Sequence, residues 1–156
     1  MKNDILILGL GNDILTDDGI GPRLVRDLAI KDKNSKRTYD IACSGGLEIM
    51  ENIKGYSKVI FIDAIRTRNG TPGDVYYFQP SDYKDTSHLS NLHDVYFLTA
   101  LKLGEILHLN LPADLHIIAI EIVEDMVFND EFTPVISGKY PAILEKVSEI
   151  VEEICH

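Results

Sequence analysis

The stretch Ile5-Leu6-Ile7-Leu8-Gly9-Leu10-Gly11-Asn12 decides the fold. Residues 5–10 form an unbroken apolar run of strand-forming character, and Gly11-Asn12 ends it. An apolar run without alternation marks a strand covered on both faces, as in the middle of a parallel sheet. A helix is predicted next. Pro22 is placed for its first turn, and Ile20, Leu24, Val25 and Leu28 recur at helical spacing.

Outward from this unit, residues 38–43 read as a further strand. Ser44-Gly45-Gly46 reads as a turn, and Leu47, Ile49, Met50 and Ile53 as the stripe of a short helix. Residues 59–62 are a second buried run, ended by Asp63. Asn69-Gly70-Thr71-Pro72-Gly73 is a turn cluster. Residues 74–78 follow it with no room for a helix, which predicts an antiparallel partner at a sheet edge. Residues 92–107 read as a long helix and 115–120 as another strand. A last helix is predicted with Pro141 near its start, carrying Ile143, Leu144, Val147, Ile150, Val151 and Ile154 on one face. Strands alternating with helices imply one α/β domain over residues 1–156, a three-layer α/β/α arrangement. Its sheet is expected to be mostly parallel and twisted, with about five strands, one antiparallel at an edge, and helices on both faces. Such folds bind ligands in the crevice beyond the carboxyl ends of the strands, so the residues that end the apolar runs are the ones to examine.

Composition narrows the classes. The chain has 156 residues, 45% hydrophobic and 26% charged, which suits a globular domain rather than a disordered chain. Its formal net charge is −10 and it has no run of Lys and Arg, which disfavours nucleic acid and anionic lipid as partners. No apolar stretch approaches the roughly 20 residues needed to span a bilayer. The N-terminal run has one Lys ahead of it and no small-residue cleavage site, so no signal peptide is expected and the cytoplasm is the expected location. A monomer is expected. The two cysteines, Cys43 and Cys155, match no metal or redox spacing and read as reduced structural thiols, a reactive role for Cys43 staying open.

Three segments place polar residues just past apolar runs. They are Gly9-Leu10-Gly11-Asn12-Asp13-Ile14-Leu15-Thr16-Asp17-Asp18-Gly19-Ile20-Gly21, then Phe61-Ile62-Asp63-Ala64, then Ser87-His88 with Leu92 and Asp94. The first is not a dinucleotide fingerprint. Gly9 and Gly11 fit its start, but Ile14 stands where Gly or Ala is required. Asp17 and Asp18 would also repel a pyrophosphate from the helix start. Asp18, Asp63 and His88 together would instead make a mixed oxygen and nitrogen site for a divalent transition metal, with positions left open for water or substrate. Taken singly, each has an ordinary reading: a helix cap, a turn residue, a surface imidazole.

The three segments, in this order and at these separations, closely resemble the motifs of nickel-iron hydrogenase maturation endopeptidases. The first motif is specific, and the resemblance covers nearly the whole chain and implies a phosphorylase/hydrolase-like fold. It implies that Asp18, Asp63 and His88 are the nickel-contacting and catalytic positions of an aspartic-type, metal-dependent endopeptidase. The implied partner is the hydrogenase large-subunit precursor, from which a C-terminal peptide is removed. The implied metal is nickel supplied by that precursor and read as the recognition mark, with zinc or cadmium able to take the same donors in the isolated protein.

Asn12, Asp17, Gly45 and Gly46 are the candidate substrate-binding residues. Asp17 is either a proton acceptor for water or a residue that caps and orients its loop. Gly45 and Gly46 either let substrate backbone approach closely or make an ordinary turn into a helix. Cys43-Ser44-Gly45-Gly46 departs from the family, which often has an acidic residue and glycines there, followed by Thr. His93 is set aside in favour of His88. Five residues along a helix turn it by about 140°, so the two cannot face one site. Ser44 lacks a nucleophile elbow, since Ala42 stands where Gly is needed, and no H-E-x-x-H occurs. Two other classes remain: a nickel-sensing chaperone that holds the same precursor without cutting it, and a nucleotide-binding domain.

Overall fold

The structure is a computed structural model that describes residues 4–43, 46–80 and 104–156. The chain runs β1 (Ile5–Leu10), a 3-10 turn (Thr16–Gly19), α1 (Ile20–Lys31), β2 (Arg37–Ala42), α2 (Gly46–Ile53), β3 (Lys58–Ile65), β4 (Val75–Phe78), β5 (Asp114–Glu121) and α3 (Pro134–Cys155). Most of the helix expected over 92–107 lies outside the described residues. Residues 104–106 are helical.

The strands form one five-stranded sheet in the order β2-β1-β3-β5-β4. Pairings β1–β2, β1–β3 and β3–β5 are parallel, and β4 runs antiparallel to β5 at the edge. Alternation along each strand feeds two cores. Ile7, Ile60, Ile62, Ala64, Ile118 and Ile120 pack with Leu24 and Val25 of α1 and Ile143, Val147 and Val151 of α3. Leu6, Leu8, Leu10, Val59 and Phe61 pack on the other face with Ile49 and Ile53 of α2. Both faces of β1 and β3 are therefore dry. That is why their sequences carry no polar alternation. Full burial of each such side chain contributes about 1.5–3 kcal/mol.

Two expectations shift. β3 does not stop at Ile62; it runs on to Ile65, so Asp63 stands inside the strand, paired across to Ala119 of β5. Pro141 does not start the last helix. Pro134 occupies the first turn, and Pro141 lies inside the helix. The sequence Thr133-Pro134 is the stronger start signal, because a first-turn proline gives up an amide that has no intrahelical partner. Among the described residues no helix is long and apolar enough to cross a membrane.

Candidate functional site

The sheet reverses its winding between β1 and β3. From β1 the chain crosses to β2 on one side, while β3 lies on the other. A doubly wound sheet opens a crevice at such a switch point, outside the carboxyl ends of its strands. Pairing of β1 with β3 ends at Gly9 opposite Ile62, while β1 pairs with β2 as far as Leu10. Asp63 is thus the first residue of β3 past the β1 ladder, at the mouth of the crevice. It is half-buried, and one of its oxygens accepts the Ala64 amide at 2.8 Å. Alternation places it on the sheet face of Val59 and Phe61.

Asp18 follows β1, on the 3-10 turn at the same end of the sheet. The loop leaves the strand at Gly11, whose φ of 143° a side chain rarely adopts, and a Cβ there would meet the Asp18 carbonyl at 2.0 Å. The loop then folds back through Leu15 N–H donating to the Asn12 carbonyl and Asp18 N–H donating to the Leu15 carbonyl, both at 3.1 Å. The Asn12 amide donates to Asp18 Oδ2 at 2.8 Å, and Asp18 is 4% exposed. Next, α1 is pressed onto the strand ends. A Cβ on Gly21 would lie 2.4 Å from the Ile62 carbonyl oxygen and 2.5 Å from that of Leu10. Gly9, Gly11 and Gly21 are therefore small because three backbones meet there, not because a phosphate does. The 3-10 turn that carries Asp18 packs against β3.

Asp17 points elsewhere. It is fully buried, at 0% exposure. Its carboxylate accepts the Val123 and Glu124 amides at 3.1 Å each, the Thr133 amide at 2.8 Å and the Thr133 hydroxyl at 2.9 Å. Thr133 is the N-cap residue of α3, so Asp17 places a negative charge at the helix start, where the dipole favours it. The reading of Asp17 as a substrate contact or water base is thereby corrected. A side chain without exposed surface and with both oxygens engaged can neither meet a peptide nor collect a proton from water. Its oriented-loop reading holds instead: Asp17 pins the turn that carries Asp18.

Asn12 is half-exposed, and its side-chain oxygen accepts the Ile14 amide at 3.1 Å. This is an Asx-type turn, the reason an Asn suits the position. Gly46 opens α2 just past the carboxyl end of β2, on the same edge of the sheet as Asp18 and Asp63. Cys43 is exposed there. His88, Asp94 and Gly45 lie outside the described residues. Among the described residues, no group of three His, Cys, Asp or Glu side chains is placed to hold a metal ion. His116 lies away from this end of the sheet. Its ring sits between the Tyr77 hydroxyl and Asp114, both at 2.6 Å, toward the amino end of β5.

Sequence reasoning missed Thr133 and the loop 123–129 that lines this edge. Thr133 is separated from Asp17 by 116 positions, and its neighbour Pro134 was the only local signal available. The loop is joined to the first motif by Thr16 N–H donating to the Asn129 carbonyl at 2.9 Å and Asn129 N–H donating to the Ile14 carbonyl at 3.0 Å.

A family model described as HycI, hydrogenase maturation protease, matches residues 24–154. The hydrogenase 2 maturation protease of Escherichia coli strain K12 is 28% identical over 159 aligned positions, covering 96% of this chain and 91% of that protein. Among solved structures, the hydrogenase maturating endopeptidase HybD from E. coli superposes with a TM-score of 0.75 at 22% identity, covering 98% and 93% of the two chains. The NiFe hydrogenase maturation protease HybD from Thermococcus kodakarensis gives 0.74 at 26% identity over all of both chains.

Proposed function

The chain belongs to the hydrogenase maturation protease family, and from that premise we propose that it removes a C-terminal peptide from a hydrogenase large-subunit precursor whose inserted nickel is the recognition mark. What supports this reading is that Asp18 and Asp63 both stand at the carboxyl end of the sheet, where its winding reverses. Asp18 arrives on a turn locked to β1, and Asp63 is the first β3 residue beyond the β1 ladder. His88 completes the donor set by its resemblance to the family's third motif.

The nickel belongs to the substrate. Two carboxylates and an imidazole are donors that a divalent first-row metal accepts when its own site is not coordinatively full. Docking of the precursor's metal centre against them fixes the adjoining peptide bond in the crevice. Holding the reacting groups in place is itself a large part of the rate enhancement. Water then adds to the scissile carbonyl, polarised by the substrate's metal. A carboxylate oxygen of the Asp18–Asp63 pair takes the water proton and passes it to the leaving amine as the C–N bond breaks. The Asn12 amide on Asp18 Oδ2 keeps that side chain aimed while charge moves. Aspartic-type chemistry, metal dependence through the precursor and a cytoplasmic location are parts of the same proposal.

The test is a mass measurement. Purified protein shortens the large-subunit precursor by one C-terminal peptide, and Asp18→Ala, Asp63→Ala and His88→Ala each stop the reaction while the domain stays folded. Normal processing by His88→Ala would remove the triad. Tight precursor binding with no mass change would leave a nickel-sensing chaperone as the function.

A further inference from the structure

Three consecutive apolar residues stand in solvent beside the site. Met126 is 77% exposed, Val127 55% and Phe128 77%. Ile14, on the loop that carries Asp18, adds a fourth at 52%. Single exposed apolar side chains are common; a run of three exposed ones disfavours solubility and is retained where it binds something.

The segment is held in place. Its backbone is tied at both ends to the first motif: Asp17 N–H donates to the Glu124 carbonyl at 2.9 Å, and Thr16 Oγ1 donates to the Val127 carbonyl at 2.5 Å. Within it, the Met126 amide donates to Glu124 Oε2 at 2.8 Å. Leu15 forms a bridge with Asn129. The residue that fastens this segment, Asp17, is the immediate neighbour of Asp18. A surface fixed in advance loses little freedom on binding. The rim is acidic on balance: Asp130 and Glu131 are exposed and Glu124 is half-exposed, Asp125 is paired with Arg66 at 3.0 Å, and the chain as a whole carries −10.

We propose that Ile14, Met126, Val127 and Phe128 form the docking surface for the precursor's polypeptide, receiving an apolar segment flanked by Lys or Arg close to its scissile bond. This rests on the proteolytic reading of the Asp18–Asp63 site and names the second attachment point of the same substrate. Continuity with the Asp18 loop gives the location, and the acidic rim gives the charge of the partner. The metal centre supplies recognition of a finished cofactor, and the patch supplies recognition of the protein that bears it.

The experiment measures binding of immobilised nickel-loaded large-subunit precursor to full-length protein. Phe128→Ser and Met126→Ser are expected to raise Kd at least about tenfold, as loss of an anchoring aromatic or thioether does at an interface. A double charge reversal, Asp130→Lys with Glu131→Lys, also weakens binding, and added salt shrinks that difference. Ile30→Ser is the control, since Ile30 is 77% exposed but sits at the far end of α1. Unchanged Kd in both apolar variants overturns the inference, and so does a wild-type dimer that Phe128→Ser dissociates. An unchanged Kd on charge reversal removes the basic flank. Wild-type protein that binds precursor in the expected pattern without shortening it defeats the proteolytic reading alone. Wild-type protein that does not bind it at all defeats the docking surface.

Discussion

The carbonyl oxygen of Asp18 occupies the space that a side chain on Gly11 would need, at 2.0 Å from an ideal Cβ. The glycine is what allows the turn to fold back on the strand end. Gly11→Ala meets both a clash with backbone and an unfavourable φ. It is expected to destabilise the protein by roughly 2–4 kcal/mol, read as a lowered urea midpoint. Processing is lost even at temperatures where the variant remains folded. A variant of unchanged midpoint and activity would show that the turn tolerates displacement.

Asp17 and Thr133 join the first motif to the last helix. Asp17→Ala leaves three backbone amides without their acceptor in a buried place, which costs about 3 kcal/mol or more. Asp17→Asn keeps the shape and part of the bonding, so its loss is smaller. The order wild type, Asn, Ala in chemical denaturation checks this. If the two Asp17 substitutions weaken catalysis with no change in stability, the anchoring role is wrong and a direct part in chemistry is favoured.

A charge network at the other end of the sheet makes part of the stability sensitive to acid. Arg37 donates to Glu152 at 2.6 Å and to Asp32 at 3.1 Å. The hydrogen bond from Arg37 holds the Glu152 carboxyl below its usual range. Burial opposes ionisation of Asp32, but the Tyr39 hydroxyl, the Asn34 amide and Arg37 together hold it low as well. For acids whose folded pKa is depressed, the stability is present above the unfolded value near 4 and is lost as pH falls through the folded one. Urea midpoints of wild type and Arg37→Gln are expected to differ at pH 7 and to converge below about pH 4. Parallel curves would contradict the network. Tyr39 and Tyr140 are raised, chiefly by burial, so their contribution is lost as pH rises above about 10.

Cys43 is exposed just past the end of β2, and a thiol mechanism merits a direct trial. Cys43→Ser is expected to process precursor at the wild-type rate, because the proposed chemistry uses water rather than a thiolate. Loss of activity in that variant, with His88→Ala still active, would reverse the assignment.

Much of this was legible in residues. The unbroken apolar runs of β1 and β3 announced strands buried on both faces, and the lack of space before β4 announced its antiparallel pairing. The glycine spacing around Asp18 was legible as a motif, though its reason, three converging backbones, was not. What stayed hidden was long-range. No local pattern said that β3 continues past Asp63, since that extension is paired only by β5. Nor did the pair of adjacent aspartates reveal that one turns inward to Thr133 while the other accepts the Asn12 backbone N–H. Pro141 misled because a proline inside a helix is costly by itself and is tolerated here within a helix whose apolar face is buried.

The most direct measurement compares two samples of the same large-subunit precursor, one loaded with nickel and one nickel-free, each incubated with the purified protein and followed by intact mass. The account predicts loss of the C-terminal peptide from the loaded precursor only, with Asp18→Ala and Asp63→Ala leaving both samples whole. Equal cleavage of the two samples, or undiminished cleavage by either aspartate variant, would contradict it.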